Sequence, residues 1–185
     1  DTRRKVAKSD AGWRPQMWAQ FAELGLLGAS FPESDGGFGG GPIEAMIIAE
    51  EFGRGLVIEP WLQTVVIAGG FLRHGGSAAQ KEENLAELIG GERLYAFAYS
   101  EPKSRYDLHD VSTTAKKDAK GYVINGHKAV VLGGPFATHL IVTARTSGSQ
   151  RDTAGVTVFL VPKNAKGVST RGYPTLDALR APEVL

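Results

Sequence analysis

The residue types able to do chemistry gather between Tyr95 and Leu132. Ser100-Glu101-Pro102 follows the run Tyr95-Ala96-Phe97-Ala98-Tyr99 and sets a hydroxyl beside a carboxylate. A serine nucleophile needs a base-paired arrangement or a Gly-x-Ser-x-Gly elbow, and neither is present. Glu101-Pro102 reads instead as a strand end, with the backbone of residues 97–100 left to meet a ligand. The four histidines, His74, His109, His127 and His139, stand at no metal-ligand spacing, so no metal site is expected. Gly-Gly-Phe-Gly-Gly-Gly at 36–41 lacks the preceding strand and the following Gly-Lys-Ser/Thr of a phosphate loop, and reads as a helix connection.

The elements that must position these residues change character at about residue 92. Pro15 suits a first helical turn, and Trp18, Phe21 and Leu24 recur at helical spacing before Gly25. Pro42 opens a second helix, for which Ile43, Met46 and Ile47 are expected to face inward. An apolar run from Trp61 to Leu72 follows, and Ser77 with Gln80 forms a capping box for a helix carrying Leu85, Leu88 and Ile89. Trp13, Trp18 and Trp61 read as core and packing residues.

From Leu94 the pattern becomes short β-rich runs at 94–99, 111–115, 122–124, 139–144 and 156–161. No helical crossover separates them, so antiparallel pairing is expected. The fold class is α+β: a helical bundle over 1–92, then an antiparallel β-barrel or sandwich over 93–185. Glu183-Val184-Leu185 reads as the opening of a further strand with no partner downstream, so the chain is expected to be a fragment.

Composition narrows the class. No window approaches the ~20 apolar residues that span a bilayer, and the absence of cysteine fits a reducing compartment, so a cytoplasmic location without membrane contact is expected. The net charge of +1 hides 8 Lys+Arg against 13 Asp+Glu over residues 1–92 and 13 against 7 over 93–185. A basic second half suits an adenosine diphosphate or CoA moiety. Nucleic acid is not expected, because the basic residues are scattered without interleaved aromatics.

Several landmarks together resemble the acyl-CoA dehydrogenase family over nearly the whole chain. They are Leu24-Gly25-Leu26-Leu27 before Pro32-Glu33, the glycine loop, Tyr99-Ser100-Glu101-Pro102, Asp107, Thr113-x-Ala115, Asn125-Gly126-x-Lys128 and Ala144-Arg145. Arg105-Tyr106-Asp107-Leu108 and Arg171-Gly172-Tyr173-Pro174-Thr175 look most like the pimeloyl-CoA dehydrogenase small-subunit type.

The resemblance implies an N-terminal and a middle domain of a flavin enzyme that removes hydrogens α and β to a CoA thioester. FAD is the implied cofactor and an acyl-CoA thioester the substrate. The implied assembly is a homo- or hetero-oligomer with an electron-transfer partner. It places Phe97, Ala98, Tyr99 and Ser100 on the flavin ring, with Val130, Val131 and Leu132 where the family carries Trp-Ile-Thr. The stacking indole and the Thr hydroxyl are therefore absent, and backbone groups are expected to supply most bonds to the ring. Tyr106 stands where a family serine meets flavin phosphate and CoA, and Lys103 and Arg105 replace two glycines beside it. The family's base and a flavin-clamping arginine come from a C-terminal helical domain expected beyond Leu185, so no catalytic residue is assigned. The rival reading is a non-catalytic structural subunit of a heteromeric acyl-CoA dehydrogenase.

Overall fold

The computed structural model describes residues 2–9, 11–176 and 180–185. The described residues fall into two compact units, the first running up to residue 94 and the second comprising 95–175 with 180–185.

The first unit is helical: α1 (Thr2–Lys8), α2 (Pro15–Glu23), α3 (Pro42–Arg54), α4 (Gly69–Gly75) and α5 (Ala78–Ile89), with a 3-10 turn at Glu33–Asp35 and a π-helical stretch at Leu62–Ala68 leading into α4. Pro15 lies in the first turn of α2, where its missing N–H costs no hydrogen bond. The Ser77 hydroxyl accepts from the Gln80 N–H and the Gln80 side chain accepts from the Ser77 N–H, closing the expected capping box of α5. Trp18, Phe21, Phe31, Trp61, Val65, Leu72, Leu85 and Leu88 are buried, and the indoles of Trp18 and Trp61 donate to the carbonyls of Gly91 and Leu26. Leu24, read with the inward stripe of α2, is exposed just past the last turn.

α3 differs from expectation. Ile43, Met46 and Ile47 are exposed, whereas Ala45, Ile48 and Phe52 are partly buried. Phe52 stacks on Phe21 with centroids 4.7 Å apart and meets Trp61 edge-on at 5.5 Å. These two rings fix the helix rotation, and the 43/46/47 stripe turns outward. In the glycine loop a Cβ at Gly37 would lie 2.3 Å from the Phe31 carbonyl oxygen, and one at Gly40 would lie 2.1 Å from that of Ala29. Close backbone approach accounts for these two glycines.

The second unit holds β1 (Tyr95–Ala98), β2 (Thr114–Asp118), β3 (Gly121–Asn125), β4 (His139–Arg145), β5 (Val156–Pro162), β6 (Thr170–Pro174) and β7 (Arg180–Val184). β4 is central, pairing antiparallel with β5 and parallel with β1 from Tyr95↔His139 to Ala98↔Val142. It also meets β2 in parallel at Thr114↔Arg145. The sheet is therefore mixed, which corrects the all-antiparallel expectation. Residues 99–138, including the β2–β3 hairpin, form a connection long enough to return the chain in the same direction without a helix. β6 and β7 make a separate antiparallel ribbon, so the terminal strand finds its partner upstream at Thr170–Pro174. Among the described residues no helix is long and apolar enough to cross a membrane, and no cluster of His, Asp and Glu could hold a metal.

Candidate functional site

A surface strip forms where the chain after β1 meets the segment 128–132. The Ala129 N–H donates to the Ser100 carbonyl at 2.8 Å, and the Lys128 ammonium donates to the Tyr99 carbonyl at 3.2 Å. The two segments named from sequence are thus brought side by side. Their side chains then divide between core and surface. Ala98 and Val131 are buried in the core beside Ala96, Leu140 and Val142, whereas Tyr99, Val130 and Leu132 are 40%, 49% and 51% exposed. Phe97 is half-buried and stacks on Tyr99 with centroids 4.8 Å apart. The outward face is an apolar, partly aromatic patch bordered by Ser100.

The backbone of this segment is less available than expected. The N–H groups of Ala129, Val130 and Val131 donate to the Ser100 carbonyl, the Tyr173 phenolic oxygen and the Pro182 carbonyl at 2.8, 3.0 and 3.0 Å. None of the three is left for a ligand. The half-buried Ser100 hydroxyl makes no hydrogen bond among those found for the described residues, and with the Tyr99 phenol it is a polar side-chain group this strip offers.

Beneath the strip lies a buried ion pair. Lys128 Nζ sits 2.8 Å from Glu101 Oε1 and also donates to Thr143 Oγ1 at 3.1 Å. The Glu101 carboxylate further accepts from the N–H groups of Ser112 and Thr113 at 2.8 and 3.0 Å and from the Ser112 hydroxyl. Burial is the largest single influence on Glu101 and raises its pKa, but the bonds from Lys128, Ser112 and Thr113 together overcome it and hold the carboxyl at about 2. Burial pulls the Lys128 ammonium below its ordinary value, while the Glu101 carboxylate works against that shift. Glu101 is thus a locked carboxylate, fully engaged and unsuited to proton transfer. Gly126 lets the turn before Lys128 close on Thr113, since a Cβ there would come within 2.2 Å of Thr113 Oγ1.

The loop after the strip carries the remaining sequence candidates. Tyr106 is 99% exposed, and Lys103 and Arg105 are exposed on the same loop. Arg105 adopts a φ of 50°, a left-handed conformation the corresponding family glycine takes freely. Sequence reasoning named Lys128 only as a motif residue and gave Tyr173 no role at the strip. The recurrence of a carboxylate and an ammonium inside two neighbouring motifs was the available signal for the pair. The Tyr173 contact had none.

Comparison with known proteins gives a consistent result. Residues 2–92 match the family description "Acyl-CoA dehydrogenase, N-terminal domain", and residues 96–183 match "Acyl-CoA dehydrogenase, middle domain". The mitochondrial isovaleryl-CoA dehydrogenase of Pongo abelii is 35% identical over 158 residues, covering 84% of this chain and 37% of that protein. The acryloyl-CoA reductase (NADH) of Anaerotignum propionicum is 35% identical over 157 residues, covering 83% and 40%. Among solved structures, the Tcur3481-Tcur3483 steroid ACAD superposes with a TM-score of 0.89 at 26% identity, over 100% of this chain and 48% of that one. The chain thus spans about two-fifths of the length of these curated relatives.

Proposed function

The chain belongs to the acyl-CoA dehydrogenase family of flavoprotein oxidoreductases, and from that premise we propose that it is the N-terminal and middle part of an FAD-dependent subunit that dehydrogenates a CoA thioester. The observation that carries this reading is the strip itself: an apolar face of Tyr99, Val130 and Leu132, edged by the unengaged Ser100 hydroxyl. Such a face fits a flat ring with one polar edge, so the residues present suit an isoalloxazine. When bound, that ring accepts the hydride. Ser100 offers a hydrogen bond to the ring edge, and Tyr99, Val130 and Leu132 exclude water from its face. Lys103 and Arg105 supply positive charge for the phosphates of FAD or CoA, and Tyr106 stands beside them as a contact for the thioester's pantetheine arm. The proton-abstracting base belongs, in this reading, to the part of the relatives' length that the chain does not span.

The small-subunit likeness adds that the protein works in an oligomer, with a partner subunit or a copy of itself, and passes electrons to a separate carrier. A second reading has its own support. With the Ala129, Val130 and Val131 N–H groups all engaged, and no side-chain donor at Val130 or Leu132, a structural subunit with weak flavin binding is consistent with the same strip.

The visible spectrum of the purified full-length protein separates the two. Flavin bands that co-purify support the enzyme, and a colourless protein in complex with a yellow partner supports the structural subunit. In a flavin-loaded protein, Ser100→Ala is expected to weaken FAD binding by about 1 kcal/mol, the worth of one neutral hydrogen bond. Equal FAD affinity in titrations of Ser100→Ala and wild type removes the assigned role of Ser100. Adding the missing groups by Val130→Trp with Leu132→Thr is expected to tighten FAD binding by about 1–2 kcal/mol, through aromatic stacking and one hydroxyl bond. Unchanged affinity in that double variant counts against the strip as the ring's seat.

A further inference from the structure

We propose that Tyr173 is a positioning residue for this face: its phenolic oxygen holds the Val130 N–H and fixes the turn that aims Val130 and Leu132 outward. The inference rests on the flavin reading above for its functional consequence, but its structural basis is separate. Val130 has a φ of 52°, a left-handed conformation that a β-branched residue adopts only when its surroundings impose it. Those surroundings are visible. Lys128 and Val184 exchange two backbone hydrogen bonds of 2.8 Å, and the Val131 N–H reaches the Pro182 carbonyl at 3.0 Å. β7 thereby grips the segment on both sides of Val130.

The remaining N–H, that of Val130, points at 3.0 Å to the Tyr173 hydroxyl on β6. The β6–β7 register, with Tyr173 opposite Ala181 beside Pro182, places the phenol there. Any sequence could make the backbone bonds, but the bond to Val130 depends on residue 173 bearing a hydroxyl. Without it, a valine relaxes toward negative φ and the peptide rotates. The exposed side chain at 130 then changes direction while Val131 stays anchored in the core. Tyr173 acts on the ligand face through the Val130 N–H, so its effect on a planar heteroaromatic ligand is one of preorganisation.

The test uses the full-length protein with FAD as the probe, and compares Tyr173→Phe, Val130→Gly and the double variant. Glycine occupies the left-handed region without strain, so the brace becomes superfluous in its background. Tyr173→Phe alone is expected to weaken FAD binding about three- to tenfold, the range for one neutral hydrogen bond. It should also speed amide hydrogen exchange in a peptide covering 128–132. In the Val130→Gly background the same change is expected to alter affinity less than twofold. An equal loss of affinity in both backgrounds overturns the proposal, because the hydroxyl then acts on the ligand or on the fold at large. Unchanged exchange in Tyr173→Phe also overturns it, even where the wild type binds FAD normally. Faster exchange in a protein whose wild type binds no FAD leaves the brace standing and removes the flavin reading instead.

Discussion

Lys128→Met is expected to destabilise the protein by about 3–5 kcal/mol at neutral pH, the cost of breaking a buried ion pair by removing one partner. The ammonium ties together four parts of the second unit: the Tyr99 carbonyl, the Glu101 carboxylate, Thr143 on β4, and its own segment beside Val184. Its loss leaves Glu101 buried with only Ser112 and Thr113 as donors. The double variant Glu101→Gln with Lys128→Met removes both charges, and should recover at least ~2 kcal/mol relative to the sum of the two single changes. Denaturant unfolding of the four proteins gives the cycle. Additive losses would mean that the two groups do not act as a pair.

The same pair sets an acid dependence. The Glu101 carboxyl is held at about 2 in the folded protein against an ordinary value of 4.5, so the folded state binds this proton less readily than the unfolded chain. Its contribution is therefore fully present above pH ~4.5 and is lost as pH falls toward 2. The deficit of Lys128→Met should accordingly shrink below pH 4.5, as the wild type loses what the variant already lacks.

Local signals made much of the fold legible. Pro15 and the Ser77–Gln80 box fix helix starts by chemistry within one turn, and both are as the sequence indicates. The rotation of α3 was not legible, because its apolar residues form two stripes, 43/46/47 and 45/48/52. Periodicity gives the repeat, but only the rings of Phe21 and Trp61 choose which stripe faces in. The parallel pairing of β1 with β4 joins residues more than forty positions apart, which no local pattern encodes. At the site, the family likeness picks out the two segments that form the strip; alternation in β1 explains why Ala98 belongs to the core beneath it, whereas Val131 lies in no strand and is held there beside Pro182. The engaged N–H groups of Val130 and Val131 depend on the tertiary placement of β6 and β7, so the sequence carries no sign of them.

Arg145→Met is expected to cost about 3–5 kcal/mol, and Arg145→Lys about 2–3 kcal/mol, for a reason unlike that at Lys128: a buried cation here is solvated by the backbone. The guanidinium donates to the carbonyls of His109, Ala154 and Gln150 at 2.8, 2.8 and 2.9 Å, with longer bonds to Asp152, Val111 and Ser147. It pins the loop 147–154 and the end of the loop that begins at the strip, while its own N–H reaches the Thr113 carbonyl at 2.8 Å. A lysine keeps the charge but has three donors on one atom, and cannot reach carbonyls spread around a planar fork. Methionine fills the volume but donates to none of those carbonyls, of which His109 and Gln150 keep a donor, the Val111 N–H. Denaturant unfolding should thus rank wild type above lysine above methionine, and hydrogen exchange should rise in peptides 108–112 and 147–155 of both variants. A lysine variant within 0.5 kcal/mol of wild type would show that charge alone suffices there, and that the fork geometry contributes nothing.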